Sequence, residues 1–571
     1  MKIGVFICHC GLNIAGVINI QKVISAVKNF ENVFHVEDNI YSCSASGLQQ
    51  IKDSIKKYDL DRVVVAACTP RTHEYLYREV CREAGLNPYV FEFVNIREQC
   101  SWVHMNEPEK ATEKAIDLIR MGVAKAALLR PLEVKEVEVE PSVMVIGAGI
   151  SGITAALNLS KSGFKVYLVE KEPKIGGTLN DLNLLFPTHI NSLELLNNYI
   201  NEVYNEERIT ALTSTTLKDV KGFVGNFDVT VVREGEEIRF KVGAIIVATG
   251  SVEFKPNGLF GYGKYTQVVT QLQFEKAIKT MEIEKVGNVV MIQCVGLKEV
   301  GYCGRICCVV ALKNAILIKQ KYPNSQVYVL FTDMQAHGPT YESYYKKAKE
   351  EGIRFIRFNL EKPPEIFAEN DKLMTKVYDI TLGEEIELPS DLVILSTPLV
   401  QRNESSELSK ILKVPLGKDG FFLEAHKKLR PAEFMTDGVF ICGAAHAPKD
   451  VQECVESALA AAGKAAILLA KGKVRREPIT VELDEQLCSG CRICEGICPF
   501  GALTLDYVKK TITVNGILCK GCGACVSACP TKALNQNCFE NNQITAMIRS
   551  LSTWGHRPEA LDMEMECEKC D

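Results

Sequence analysis

The chain has 571 residues, 47% hydrophobic and 24% charged, with a formal net charge of -5. That length exceeds one core and calls for several domains. Mild acidity without a long basic block argues against a nucleic-acid partner, and no long apolar run offers a membrane span.

The opening MKIGVFICHCG goes straight into a strand-like run, without the pattern of an export signal, so a cytoplasmic protein is expected. The 23 cysteines cluster as CxC, CxxxCC and CxxCxxCxxxCP. In a reducing compartment such clustering means metal, chiefly iron–sulfur.

Residues 1–132 read as a small N-terminal α/β domain with a parallel sheet. Strand-like runs fall at Ile3–Ile7, Val33–Val36, Arg62–Ala66 and Pro88–Phe93, with helix-like stretches such as Ser46–Tyr58 and His73–Ala84 between them. Cys8, Cys10, Cys43 and Cys68 sit at or just past strand ends, and Cys100 follows the fourth strand. Strand ends of an open α/β sheet converge on one edge. These five are therefore candidate ligands of one [4Fe–4S] cluster, the alternative being that some are ordinary core cysteines. Cys81 lies inside a helical pattern and reads as packing. Arg71 and His73 either meet an anionic partner or cap the following helix. Residues 107–130 read as one long amphipathic helix, and 132–140 as a link.

Residues 133–474 form a flavoprotein unit, with FAD parts at 141–286 and 401–474 and a second half at 287–400. Val143–Ile146 is a buried strand. Gly147, Gly149 and Gly152 follow as GxGxxG, leading through Ile150 and Ser151 into a helix. A second strand, Lys165–Val169, ends at Glu170 and Lys171. This is the order of a dinucleotide fold: the glycines admit a pyrophosphate to the helix N-terminus, and the acid takes the ribose hydroxyls. Gly176, Gly177 and Thr178 extend the site and favour FAD over NAD. Residues 209–250 read as a β-meander ending in Ala248-Thr249-Gly250, which returns the chain to the cofactor.

The second half has strand-like runs at Asn288–Gln293, Gln326–Phe331, Arg354–Phe358 and Asp391–Ser396. Its first strand leads to no second GxGxxG. Cys294, Cys303, Cys307 and Cys308 stand there instead, as ligands of a cluster or, alternatively, as a reactive dithiol or zinc site. Lys313 either places a cation near the flavin or is solvated. Residues 437–443 form a strand ending in Gly443-Ala444, and Val451–Leu469 a long helix. His446 and Lys449 in the intervening loop are candidate flavin neighbours; Cys442 and Cys454 read as structural.

Residues 475–540 form a ferredoxin unit, followed by a tail at 541–571. Cys488, Cys491, Cys494 and Cys498 are repeated as Cys519, Cys522, Cys525 and Cys529, each run followed by proline. The fourth cysteine of each run ligates the other cluster. One [4Fe–4S] therefore takes Cys488, Cys491, Cys494 and Cys529, and the other takes Cys519, Cys522, Cys525 and Cys498. Cys567 and Cys570 are either interface ligands or free.

The whole resembles the A-type subunits of the heterodisulfide reductases. The likeness rests on FICHCG, NIREQCSWVH at 95–104, GAGISG, the Cys294/Cys303/Cys307/Cys308 arrangement and GAAHAPKDVQE at 443–453. It implies an α/β protein with an N-terminal α/β domain, a two-part thioredoxin-reductase-like FAD domain and a bacterial-type 2[4Fe–4S] ferredoxin domain. It implies FAD, an unusual [4Fe–4S] at the CxxxCC group, an N-terminal cluster and so four clusters in all, with Lys313 beside the flavin. The implied role is electron bifurcation: pairs arrive from a hydrogenase or formate dehydrogenase small electron-transfer subunit. They leave to ferredoxin and, through B- and C-type subunits, to a disulfide, within a larger and dimeric complex. The alternatives are a stand-alone NAD(P)H- or ferredoxin-linked flavin oxidoreductase and a non-bifurcating relay. Two features depart from the resemblance: no ferredoxin domain is inserted near residues 220–235, and no cysteines follow Gly177 in TLNDLNLLFPTHINS.

Overall fold

The computed structural model describes residues 1–134, 136–280, 286–475 and 477–552. Cys567 and Cys570 lie outside the described residues. The chain forms two compact units, Met1–Lys135 with Arg475–Asp571, and Glu136–Val474. Among the described residues no helix is long and apolar enough to cross a membrane.

The first unit opens with β1 (Ile3–Cys8), α1 (Ile20–Val27), β2 (Val33–Asn39), α2 (Ala45–Tyr58), β3 (Arg62–Ala67), α3 (Pro70–Glu83), β4 (Phe91–Asn95) and α4 (Pro108–Ala126). The strands form a parallel sheet in the order β2-β1-β3-β4. Alternation along β1 sends Ile3, Val5 and Ile7 to the face covered by α1 and α4, and Phe6 and Cys8 to the face covered by α2 and α3. The fourth strand begins at Phe91 rather than Pro88. Proline has no N–H for the ladder, and Asn87 holds a turn there by accepting from the Tyr89 amide at 3.0 Å.

The second unit contains β5 (Ser142–Ile146), α5 (Ile150–Lys161), β6 (Lys165–Val169), β7 (Ile209–Leu212) and β8 (Ala244–Val247). Ile209–Leu212 pairs in parallel with β6, so it belongs to the dinucleotide sheet and not to the meander. The meander proper is Thr215–Phe223, Asn226–Arg233 and Glu236–Val242. Its strands are antiparallel and joined by two-residue turns at Val224-Gly225 and Glu234-Gly235.

The second half follows with β9 (Val268–Thr270), β10 (Asn288–Ile292), α6 (Cys307–Lys321), β11 (Gln326–Phe331), β12 (Arg354–Arg357) and β13 (Leu392–Leu395). They make a parallel sheet in the order β9-β13-β10-β11-β12. A three-stranded antiparallel sheet at Glu365–Glu369, Lys372–Asp379 and Glu384–Pro389 interrupts it; the alternation of buried residues along KLMTKVYD is its sequence signal. β14 (Val439–Ile441) and α7 (Val451–Ala470) then return to the first sheet, giving it the order β14-β8-β5-β6-β7.

The chain re-enters the first unit with two small hairpin-like ladders, Val481–Leu483 with Leu534–Gln536 and Leu503–Asp506 with Thr511–Val514. The short helices Ile493–Ile497 and Ala524–Ala528 lie between them. α8 (Asn541–Ser552) packs along α4. There the Gln543 side chain donates to the Leu128 carbonyl at 3.2 Å, and Arg130 pairs with Glu540 and Glu482.

Candidate flavin and iron–sulfur sites

The turn between β5 and α5 has no room for side chains. Gly147 has φ 98°, and a Cβ there would stand 2.5 Å from the Ala248 carbonyl oxygen. A Cβ on Gly152 would stand 1.8 Å from the Gly147 oxygen. At Gly149 a Cβ would enter open space, so the glycine there leaves a cradle in front of the α5 N-terminus. That N-terminus has no side-chain cap and offers its amides, with the partial positive charge of the helix, to an anion. Glu170 is 8% exposed and accepts the Ala148 amide at 2.7 Å and the Glu172 amide at 3.0 Å. Its remaining lone pairs are free for ribose hydroxyls.

Gly176 and Gly177 fold back onto this turn. Gly149 and Gly176 form a parallel bridge, and a Cβ on Gly177 would stand 3.1 Å from the Gly149 Cα. Thr178 lies in the following short turn, and Lys171 pairs with Glu404. On the other side, β8 delivers Ala248, Thr249 and Gly250. The Thr249 hydroxyl is buried without a partner, as is that of Thr154, and buried hydroxyls ordinarily have one. An uncapped helix start, a cradle left by Gly149, a ribose acid and orphaned hydroxyls fit a bound dinucleotide.

After β14, Gly443 has φ 66° and a Cβ there would stand 2.1 Å from the Ser151 hydroxyl, so Gly443-Ala444 seats directly on the first turn of α5. His446 and Lys449 follow. The Lys449 ammonium donates to His446 Nδ1 at 3.0 Å, and His446 Nε2–H donates to Glu424 at 2.8 Å. These partners fix the neutral Nε2–H tautomer. Burial, and then the Lys449 charge, hold the His446 pKa below its ordinary value; burial also lowers that of Lys449.

Lys313 is 3% exposed and so is not a solvated lysine. It pairs with Glu275 and donates to the Leu184 carbonyl at 2.8 Å, while Glu275 accepts the Asn183 amide at 3.0 Å. The pair thus holds the segment that follows the second glycine pair. Burial lowers the Lys313 pKa, against the pull of Glu275. Cys442 and Cys454 are buried, and burial raises both thiols, that of Cys454 to about 11.

Where a nicotinamide half would carry its glycine turn, β10 ends at Ile292 and Cys294 takes a left-handed φ of 61°. A cavity of about 380 Å³ opens there, lined by all of Cys294, Cys303, Cys307 and Cys308. Cys307 and Cys308 are the first two residues of α6, so adjacent thiols reach one space from a helix start. Their proximity and burial raise the Cys307 pKa, while the neighbouring Cys307 lowers that of Cys308. Cys294 meets the Thr332 hydroxyl at 3.2 Å, and the Arg305 amide donates to Cys303 Sγ at 3.4 Å.

At the edge of the N-terminal sheet, Cys43 and Cys68 each lie near Cys8, Cys10 and Arg97. The Cys8 sulfur accepts the amides of Cys10 and Ser42 at 3.4 and 3.5 Å, and Arg97 donates to Cys10 at 3.2 Å. Burial pushes the Cys68 thiol up to about 11, with Arg97 opposing. Cys100 is not gathered with them by any bond: its thiol donates to the Ala111 carbonyl at 3.1 Å within the core beneath α4. Thr69 caps α3, while Arg71 is exposed.

In the ferredoxin repeat, Cys494 neighbours Cys491 and Cys529, whereas Cys525 neighbours Cys519, Cys498 and Cys522. Gly490, Gly521 and Gly523 have φ of 67°, 60° and 75°. Cβ atoms at Gly490 and Gly521 would strike the Lys510 and Ile479 carbonyl oxygens at 2.4 and 2.2 Å. No three His, Cys, Asp or Glu among the described residues close around a single metal ion; a four-iron cluster spreads its thiolates wider than one ion does. Sequence reasoning missed Glu275, Glu424, Thr332, Arg97 and Arg305 as partners. No spacing announces them; only Arg97, in NIREQCSWVH, and Arg305, inside the CxxxCC run, stood in quoted motifs.

The family model for pyridine nucleotide-disulphide oxidoreductases matches residues 141–463, and that for the 4Fe-4S dicluster domain matches 487–534. The protein is therefore an oxidoreductase that combines FAD with two [4Fe–4S] clusters. It is 40% identical to an iron-sulfur A-type subunit of the CoB–CoM heterodisulfide reductase of Methanopyrus kandleri, over 88% of this chain and 90% of that protein. It is 39% identical to the A-type subunit of the H(2):CoB-CoM heterodisulfide,ferredoxin reductase of Methanothermobacter thermautotrophicus, over 96% of this chain and 97% of that one. The chain belongs to the family of heterodisulfide reductase A-type subunits. The solved thioredoxin reductase of T. acidophilum is 19% identical, covers 58% of this chain and 99% of its own, and superposes with a TM-score of 0.41. The alignment to the Methanothermobacter protein runs over 644 positions, more than this chain possesses, so that relative carries segments absent here.

Proposed function

We propose that this chain is the electron-bifurcating iron–sulfur flavoprotein of a heterodisulfide reductase-type complex. Its donor is a hydrogenase- or formate dehydrogenase-like partner. Its acceptors are ferredoxin and, through B- and C-type subunits, a disulfide. The observation that carries the reading is the cavity of four cysteines in the position of a nicotinamide phosphate loop. Thiolates there suit a cluster and leave no glycine turn for a pyrophosphate.

FAD, when bound, exchanges two electrons with one partner and single electrons with clusters. Gly147, Gly149, Gly152 and Glu170 hold its dinucleotide portion, with Gly176, Gly177 and Gly443 closing the cradle. Lys449 holds a proton at Nζ against His446 Nδ1, and Glu424 orients the opposite edge of that ring. Lys313 and Glu275 fix the 182–185 segment. The CxxxCC group holds a third [4Fe–4S], and Cys8, Cys10, Cys43 and Cys68 a fourth, with Arg97 offsetting their charge.

The test is iron, labile sulfide and FAD per chain after anaerobic purification. About 16 iron with one FAD is expected, as four cubanes require. A value of about 8 confines clusters to the ferredoxin repeat and overturns the reading. So does rapid reduction of FAD by NADH in the isolated chain.

A further inference from the structure

Arg305 sits between Cys303 and Cys307 with a left-handed φ of 61°, a conformation that a side-chain-bearing residue adopts only when its surroundings impose it. Its guanidinium leaves the cysteine loop and grips the other half of the flavoprotein unit. It donates to the Pro448 carbonyl at 3.1 Å and pairs with Glu453. Glu453 is already engaged, because its carboxylate accepts the Asp450 amide at 3.0 Å while Asp450 caps α7 through the Glu453 amide at 2.9 Å. From the same half as Arg305, the Tyr341 hydroxyl donates to Asp450 at 2.5 Å. The gripped loop is the one that carries His446 and Lys449, and it begins at Gly443 against the first turn of α5.

We propose that Arg305 is a positioning residue that couples the CxxxCC site to the flavin-side loop. It holds Cys303 in register with residues 446–450 and places a permanent positive charge between the two sites. The inference rests on the reading that the four cysteines hold a cluster. An arginine suits the role because its Nη2 meets the Pro448 carbonyl and the Glu453 carboxylate together and its guanidinium keeps its charge. Nothing in the GxGxxG logic of the fold asks for this contact, since it joins the two halves through the loop that replaced the second glycine turn.

The experiment compares the full-length wild type with Arg305→Lys, Arg305→Ala, Glu453→Gln and the Arg305→Ala, Glu453→Gln double variant, purified anaerobically. Iron and FAD are counted, and the clusters are titrated by EPR-monitored potentiometry. Cys303→Ser is the control: loss of about four iron assigns a cluster to this site, and unchanged iron sinks the cluster reading itself, separately from the role of Arg305. In Arg305→Ala the signal lost in Cys303→Ser should persist with altered g-values. Its ratio of reduced to oxidised cluster at fixed potential should fall tenfold, equivalent to about 59 mV for a one-electron couple. Arg305→Lys, which keeps the charge but not the planar group that reaches Pro448 and Glu453, should recover part of the potential and not the g-values. Glu453→Gln should perturb the signal less once Arg305 is already alanine. An Arg305→Ala cluster with wild-type signature and potential overturns the proposal. Loss of the iron in both Arg305→Ala and Arg305→Lys also overturns it, by reducing Arg305 to a requirement for assembly.

Discussion

At the residue scale, the most consequential pair is Lys313 with Glu275. Both are almost wholly buried, at 3% and 1% exposed. Removing one member of such a pair strands a charge and costs about 3–5 kcal/mol, whereas replacing both by apolar groups is close to neutral. Glu275→Ala should therefore lower unfolding stability by that amount, and adding Lys313→Met should restore most of it. Denaturant melts of the two variants decide the matter; equal loss in the single and double variants would show that the pair is not the cause. The His446 ring gives a second expectation. Its folded pKa lies below the ordinary 6.5, so the unfolded chain binds more protons between the two values and stability rises with pH across that window. The contribution is complete above 6.5 and disappears as pH falls through the folded value. Melting midpoints taken from pH 5 to 7 should show a slope that His446→Gln reduces.

At the scale of elements, the ferredoxin repeat makes a prediction that runs against chain order. Cys529 belongs to the second cysteine run yet neighbours Cys494 of the first. Cys529→Ser should abolish the cluster of Cys488, Cys491 and Cys494 while leaving that of Cys519, Cys522, Cys525 and Cys498, read as the loss of one of the two EPR signals of the ferredoxin repeat. Loss of the other signal would mean that each run closes on itself. These elements were legible because their chemistry is local. A CxxCxxCxxxCP run or a strand–glycine turn–helix declares itself within a few residues, and β6 spans Lys165–Val169 as the sequence reads. The strand Ile209–Leu212 was harder, since four alternating residues cannot say which sheet they join. The gathering of Cys8, Cys10, Cys43 and Cys68, with Cys100 bonded elsewhere, needed the parallel register of β1, β2 and β3 to be known. The partners Glu275, Glu424 and Arg305 depend on contacts between residues far apart in sequence, and a lone polar residue, in a helix like Glu275 or in a loop, carries no periodic mark of what it will meet.

For the whole molecule, the notable point is which parts of the chain share a unit. The N-terminal sheet and the ferredoxin repeat, at opposite ends of the sequence, fall in one compact unit. Lys125 lies over the Phe539 ring at 4.2 Å and also pairs with Glu92 at 2.8 Å. Cys538 packs against the core beneath α4, whose C-terminal turn Gln543 caps from α8. If both links to the FAD unit were cut, near residues 135 and 475, the two terminal fragments should still elute together on size exclusion. Separate elution would show that the seam is held only by the covalent links.

That arrangement also sets an order of events during synthesis. The FAD unit, Glu136–Val474, is continuous and can close as soon as it has been made. The N-terminal domain emerges first, but its helix α4 lacks its packing partners α8 and Phe539 until the end of translation. At the usual 5–20 residues per second, the delay is on the order of tens of seconds. Throughout that interval Cys8, Cys10, Cys43 and Cys68 belong to an unfinished fold. On the cluster assignment proposed above, delivery of iron and sulfide to them comes late or is guarded, whereas the cavity at Cys294 is ready while the ribosome is still at work.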